Sequence, residues 1–419
     1  MKKGLFVTAI IILSAFTLWS RYASADLLGK PVLGVADYNL FTNGFKIYVV
    51  FIALSLLSMV IFLQPAASET AGHPLHLDSR IKGWITGFTI LIIASSLLVV
   101  YANPEGRYPS RKRDGYISIA ARSIKPELYK KLEVTPDVII FGSSAAFTIR
   151  AEDLKPELGL DAFNMALNGG GPVDFVTMMN FILGNSPDNK IPSVITVELL
   201  GPSLSLGEPT QTPLELISYL PWDQASPAVF ENLDYAIRLT PVSDSIFSLM
   251  FLDRGRWNPR VKFTKNGTGI RAEEDAPAAT YQSSLKWNVG LVNSFLSCKE
   301  PDASGKDYIR RLVQLGNQHK FSIVFYLHPI NSDFYEVAHV KPSAFATCKR
   351  EFLDFMGSLT DQNPNLFFAD LSQYKPITTG GSKVYIDTHH LTRYGSALLL
   401  QALEDPIQSA VQWTRENRP

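Results

Sequence analysis

The sequence predicts an α/β fold: a mostly parallel sheet with helices on both faces, preceded by N-terminal transmembrane helices. Two observations carry this. In residues 105–419, short runs rich in β-branched and aromatic residues alternate with segments of helical apolar spacing. Before them lie two 22-residue runs without a single charge, Ile47–Ser68 and Gly83–Pro104.

Composition excludes several classes. The 419 residues are 46% hydrophobic and 19% charged, with 39 basic and 39 acidic side chains. A disordered chain needs low hydrophobicity and high net charge, and a polybasic nucleic-acid binder needs excess positive charge. Two cysteines are too few for a disulfide-dense scaffold or a four-Cys zinc module. The zero net charge is a cancellation. Residues 1–104 carry 7 basic and 4 acidic groups, and residues 105–419 carry 32 and 35, so +3 offsets −3. A mildly acidic outer domain gives no support to nucleic acid as a partner.

A helix needs about 20 apolar residues to cross a bilayer, so both uncharged runs are long enough. A third run, Gly4–Ser20, follows Met1-Lys2-Lys3 and precedes Ala23-Ser24-Ala25. It reads as a retained first span or as a cleavable signal peptide. The spans are placed at about 4–20, 47–66 and 83–102. With Lys2 and Lys3 inside, everything after Pro104 is extracytoplasmic. Arg107, Arg111, Lys112 and Arg113 after the last span run against the positive-inside rule, but the first helix usually dominates. The expected division is a membrane anchor over 1–104 and one extracytoplasmic domain over 105–419.

Within that domain, Asp137–Phe141 (DVIIF) reads as a buried strand and Leu160–Ala166 as a weaker one. Ser193–Leu200, Phe321–Leu327 and Asn365–Asp370 are three more. Pro172–Leu183 has helical spacing with proline in its first turn, and helices are expected over 306–319, 343–359 and 392–410. Residues 203–300 break the alternation and read as an insertion, with helices at Pro227–Leu239 and Val242–Leu252 around Pro241 and an irregular stretch over 254–285. Cys298 and Cys348 are candidates for a disulfide, which an oxidising compartment would favour.

Three clusters point to chemistry. Strand 138–141 runs into Gly142-Ser143-Ser144, which places Ser143 or Ser144 at the carboxyl edge of the sheet. Asp387-Thr388-His389-His390 sets an aspartate three residues before a histidine, a spacing at which a carboxylate orients an imidazole. A serine hydroxyl is a weak nucleophile until such a base takes its proton. Asn168-Gly169-Gly170-Gly171 before a helix exposes backbone N–H groups suited to a developing oxyanion. No Gly-Lys-Ser/Thr follows, so the loop is not a P-loop.

Together these clusters resemble the SGNH (GDSL-type) hydrolase superfamily, over roughly residues 137–200 and 320–405. The resemblance implies a flavodoxin-like domain and a Ser-His-Asp triad of Ser144, His390 and Asp387. It implies an oxyanion hole from Gly169 and the Ser144 backbone. Ser143 stands where the family commonly has aspartate. The family's oxyanion asparagine after a central strand has no counterpart in Val197-Glu198-Leu199-Leu200-Gly201-Pro202; Asn164 and Asn168 are the candidate substitutes. His328 and His389 are expected to line the substrate site or to be structural. A zinc site from His328, His389, His390 and Asp387 would leave the serine idle, so neither metal nor other cofactor is expected.

Membrane-anchored relatives in this superfamily modify envelope polymers. The resemblance therefore implies acyl transfer through Ser144, as an O-acetyltransferase or acetylesterase on an exported or cell-envelope polysaccharide. A membrane-bound O-acyltransferase would be the partner that delivers the acyl group. The second reading, prompted by the missing asparagine, is a catalytically degenerate carbohydrate-binding or scaffolding subunit.

Overall fold

The structure is a computed structural model. It describes residues 92–109, 121–205, 211–251, 261–271, 300–337 and 346–418, with Thr89, Gly207, 281–283 and Leu285. The expected spans at 4–20 and 47–66 lie outside the described residues, as does the first part of the third. Residues 92–102 of the span expected at 83–102 are helical (α1). Among the described residues no helix is long and apolar enough to cross a membrane.

Contacts divide the chain into two compact units. One contains Met1–Ile119 and Phe230–Arg260; the other contains Ala120–Val229 and Val261–Pro419. Part of the expected 203–300 insertion, Phe230–Arg260, groups with the N-terminal residues in this division. In this first unit Val99, Tyr108, Tyr235, Ala236 and Val242 form a small apolar cluster. Asn103 ties it together, its side chain bonding both the Tyr108 N–H (3.0 Å) and the Tyr108 carbonyl (2.6 Å).

The second unit holds the sheet. Its strands are β1 (Val138–Phe141), β2 (Ala162–Asn164), β3 (Val194–Leu199), β6 (Ser322–Leu327) and β7 (Leu366–Asp370), in the order β2-β1-β3-β6-β7. Every pairing is parallel. Central parallel strands are covered on both faces and so read as continuous apolar runs. Every residue of β1, β3 and β6 is buried accordingly. Burying each large apolar side chain there is worth about 1.5–3 kcal/mol. Without the antiparallel hairpin β4 (Val261–Phe263)–β5 (Gly269–Arg271), which forms a separate two-stranded sheet, the order is the flavodoxin-like 2-1-3-4-5. That order reverses between β1 and β3, and a ligand crevice is expected at the carboxyl ends there.

The helices form where the spacing places them, with ends set by caps. α2 (Ala121–Lys130) precedes β1. α3 (Pro172–Asn185) starts on proline, and Asp174 in its first turn accepts from the Gly171 N–H at 3.1 Å. α4 (Trp222–Ile237) starts five residues before the expected Pro227, and α5 (Leu239–Phe251) takes Pro241 into its first turn. α6 (Ala303–His319) is capped by Asp302, whose side chain accepts from Gly305 N–H at 2.9 Å. α7 (Ala346–Gln362) packs against β7, and α8 (Arg393–Asn417) against β3, β6 and β7. α8 outruns its expected end at 410 because its last turn is anchored. Thr414 bonds the Ser193 carbonyl, and Arg418 donates to the carbonyls of Ile191, Pro192 and Lys320.

The hairpin β4–β5 lies inside the stretch read from sequence as irregular. Its strands are three residues each, too short to show a period. Cys348, buried in α7, is disulfide-bonded. Cys298, the only other cysteine in the sequence, lies outside the described residues.

Candidate active site

β1 ends at Phe141 and the chain turns at Gly142. A Cβ on Gly142 would come within 2.6 Å of the Ala146 Cβ and 2.7 Å of the Glu198 side chain, so only glycine fits. Ser143 then caps a short 3-10 turn, Ser144–Thr148, its hydroxyl accepting from Ala145 N–H at 3.2 Å. That role turns the Ser143 side chain inward and leaves Ser144 half-buried at the edge of the sheet. Ser144 Oγ lies 2.9 Å from His390 Nε2.

His390 is held by a tight loop between Val384 and α8. Tyr385 bridges Leu391, and Ile386 N–H donates to the His390 carbonyl at 2.8 Å. Asp387 Oδ1 accepts the backbone N–H groups of His389 (3.0 Å) and His390 (2.9 Å). Its Oδ2 lies 2.7 Å from His390 Nδ1. Burial alone would raise the Asp387 pKa, but the two imidazoles and these hydrogen bonds outweigh it and hold the carboxyl well below the usual range. An ionised Asp387 fixes the tautomer: Nδ1–H donates to the carboxylate, and Nε2 presents its lone pair to Ser144. Asn331 supports this loop from the segment after β6, its amide donating to the Asp387 carbonyl at 3.1 Å.

The glycine-rich loop closes the site. Arg122, on α2, grips it with two bonds to Asp174 (3.0 and 2.9 Å) and one to the Asn168 carbonyl (2.7 Å). Both partners of this ion pair are buried. Gly169 adopts φ +57°, which a side chain would strain. Ser144, Gly169, Asn168, Glu198, Leu200 and His389 all line one cavity of about 220 Å³. Among the described residues neither the Ser144 N–H nor the Gly169 N–H has an acceptor, and the Asn168 amide has no partner. Backbone donors left open beside a nucleophile are what an oxyanion hole requires. A larger cavity of about 720 Å³ shares the wall Leu200–Gly201 and opens over the ends of β3, β6 and β7.

The structure thus brings Ser144, His390, Asp387, Gly169, Asn168 and His389 to one place. It does not bring Asn164. Expected to line the substrate site or to replace the missing oxyanion asparagine, Asn164 is fully buried. Its amide donates to the Ala146 and Ile149 carbonyls at 2.7 and 2.8 Å, and its oxygen accepts from Lys125 Nζ at 2.8 Å. Burial holds that Lys125 amine well below the usual lysine range. Asn164 therefore braces the turn that follows Ser144. Asn164→Ala is expected to cost about 3 kcal/mol, because the Lys125 amine and two carbonyls lose their partner. Chemical denaturation checks this; a cost under about 1 kcal/mol would contradict the bracing role.

His328 is also buried, its Nε2 bonded to the His389 carbonyl at 2.8 Å. His328 is among the residues that line the larger cavity. Asp387, His389 and His390 place metal-ligand-type atoms within 4.8 Å of one another. Both ring nitrogens of His390 and both Asp387 oxygens are committed to the bonds above, so the arrangement suits proton transfer better than metal ligation.

Two residues without a role in the sequence reading matter here. Arg122 carried no local signal, since its partners lie about 50 positions away. Glu198 did carry one: it is the single charge in the apolar strand Val194–Leu199, and charged residues are rarely buried without a purpose.

Burial pushes the pKa of His328 and of His389 down to about 3. Both are neutral in the fold but protonate in the unfolded chain below about 6.5, so stability falls with pH in that range. Glu198 acts oppositely: burial raises it from 4.5 to about 7, and its contribution is lost as pH rises through that window. The net expectation is a loss of about 1.4 kcal/mol per pH unit from pH 6.5 to about 4.5, where one of the two protons is offset. Below that the slope steepens to about 2.7 kcal/mol per unit. Urea unfolding midpoints between pH 7 and 4 read this directly; a flat profile would mean the two histidines are not neutral and buried.

No family model matches the chain, and no curated protein matches it. Solved structures do. A GDSL-like lipase from Bacteroides thetaiotaomicron aligns at 11% identity and TM-score 0.29, over 64% of this chain and 88% of the lipase. A candidate acylhydrolase from Bacteroides fragilis aligns at 11% identity and TM-score 0.31, over 67% of this chain and 93% of its own.

Proposed function

We propose that this protein is a serine acyl-transfer enzyme that works through an acyl-Ser144 intermediate. The observation that carries the reading is the hydrogen-bonded line Ser144 Oγ–His390 Nε2 at 2.9 Å and His390 Nδ1–Asp387 Oδ2 at 2.7 Å. In the first half-reaction Ser144 Oγ attacks the acyl carbonyl while His390 Nε2 takes its proton. The oxyanion is held by the Ser144 and Gly169 N–H groups, with the Asn168 amide as the donor replacing the family's asparagine. Collapse expels the alcohol, which takes the proton from His390. In the second half an acceptor hydroxyl attacks the acyl-serine, gives its proton to His390, and Ser144 leaves as the hydroxyl.

The acceptor in this reading is a hydroxyl of an exported or cell-envelope polysaccharide, with water as the competing acceptor. Two features support that choice. The uncharged 22-residue runs would tether the catalytic domain at a membrane, and the disulfide at Cys348 fits an oxidising, extracytoplasmic compartment. A membrane-bound O-acyltransferase would then supply the acyl group from the cytoplasmic side.

The test uses the full chain purified in detergent, exposed to a fluorophosphonate serine probe and a chromogenic acetyl ester. Labelling and ester turnover that disappear in Ser144→Ala support the enzyme. A folded wild type that neither labels nor turns over the ester points to the scaffolding reading. Acetate release compared with acetyl transfer onto an oligosaccharide separates esterase from transferase.

A further inference from the structure

Behind the nucleophile lies a buried pair that the mechanism above does not use. Glu198 Oε2 accepts the Ser143 N–H at 2.6 Å. Its Oε1 faces His328 Nδ1 at 3.6 Å, and both side chains are fully buried. Among the described residues, neither of these two facing atoms has a hydrogen-bond partner. On the far side, His328 Nε2 lies 2.8 Å from the His389 carbonyl. The pair thus lies between the turn that carries Ser144 and the loop that carries His390.

The chemistry of the donors decides where hydrogens sit. A carbonyl oxygen only accepts, so His328 Nε2 must carry the hydrogen it donates to His389. Neutral His328 therefore presents a bare lone pair at Nδ1. If Glu198 were ionised, its Oε1 would present another lone pair to it. Two acceptors would face each other in a buried site, which costs free energy. One additional proton between Oε1 and Nδ1 removes the conflict.

We propose that Glu198 and His328 hold one proton in common, and that this neutral bridge positions the nucleophile turn against the base loop. This rests on the acyl-transfer reading for its effect on rate, though not for its existence. Burial raises Glu198 to about 7 and lowers His328 to about 3, which places the proton on the carboxyl. The other groups facing the pair do not supply it. Tyr326, paired with Glu198 across β3 and β6, keeps its own hydroxyl proton because burial raises it well above the usual value. His389 is held neutral, and Asp387 is held ionised by His390. Ser143 faces Glu198 with its N–H and its hydroxyl, both of which lower the carboxyl pKa and are outweighed by burial.

A rate consequence follows. Glu198 lines the same cavity as Ser144. When it ionises, a buried negative charge appears beside the site of the oxyanion and opposes the charge that develops there. Activity is therefore expected to decline as pH rises past about 7, through Glu198 and not through the triad.

Glu198→Gln is the deciding variant. The amide accepts from Ser143 N–H through its oxygen and donates to His328 Nδ1 through its nitrogen, but cannot titrate. In the full chain, the alkaline decline in kcat on an acetyl ester should vanish in E198Q, whatever its rate at pH 6. E198L should lose activity at every pH. An alkaline decline that persists unchanged in E198Q would overturn the rate role. Infrared spectroscopy gives a readout independent of activity. A carboxylic-acid carbonyl band at pH 6, retained in Ser144→Ala and absent from E198Q, is expected. Its absence from wild type overturns the shared proton whatever the kinetics show. The band without any Ser144-dependent activity would leave the bridge standing and sink the acyl-transfer reading instead.

Discussion

Replacing His390 with alanine is expected to lower kcat/KM on an acetyl ester by roughly 10⁴-fold or more. The hydroxyl of Ser144 then loses the acceptor 2.9 Å away that makes it a nucleophile. Asp387→Asn should be nearly as damaging, for a different reason. The Asp387 carboxylate accepts three hydrogens: two backbone N–H groups on Oδ1 and His390 Nδ1–H on Oδ2. An asparagine that keeps its oxygen on the backbone groups turns its NH₂ toward Nδ1. The imidazole is thereby driven into the tautomer whose Nε2 carries hydrogen and cannot accept the serine proton. Steady-state kinetics of the Ser144→Ala, His390→Ala and double variants check that the residues act as a unit. If the double variant is far slower than either single one, the two do not share one step.

Arg122→Ala is expected to be the most destabilising single change near the site, by about 3–5 kcal/mol, because it leaves Asp174 as a buried carboxylate without its partner. For a domain of this size that corresponds to a fall in Tm of roughly 10 °C. The same change should reach catalysis. Arg122 holds the Asn168 carbonyl directly, and through Asp174 it holds the Gly171 N–H. Loosening both ends of the loop displaces Gly169, and losing one oxyanion donor costs about 10²–10³ in kcat. Arg122→Lys keeps the charge but not the two-pronged grip, so it should fall between the two. Thermal unfolding and kcat measured on the same preparations test the link. A variant with wild-type stability, or with lowered stability but unchanged kcat, would separate the clamp from the oxyanion hole.

The strands were legible because burial on both faces demands apolar side chains in unbroken runs, and such runs stand out in a chain of ordinary composition. The 138–141 and 322–327 strands are the clearest cases. The hairpin at 261–271 was not legible, since its three-residue strands pair only with each other. The end of α8 was missed because Arg418 and Thr414 fix it through carbonyls that lie more than 90 residues away in sequence.

For the site the same division holds. Asp387 and His390 sit three apart in one loop, and Gly142-Ser143-Ser144 follows one strand, so local spacing announced both pieces. What the sequence by itself determined is the chemistry available: a serine at a strand end, an oriented histidine, a glycine loop, and an apolar N-terminal stretch. Tertiary structure shows why Ser144 and not Ser143 faces the imidazole, since Ser143 is taken as a cap. It also decided which asparagine is free, since Asn164 is consumed by buried carbonyls while Asn168 is not. And it alone paired Glu198 with His328. Hydrogen-bond partners are allotted in three dimensions, across strands distant in sequence, and a buried polar group takes its role from the partner it finds there.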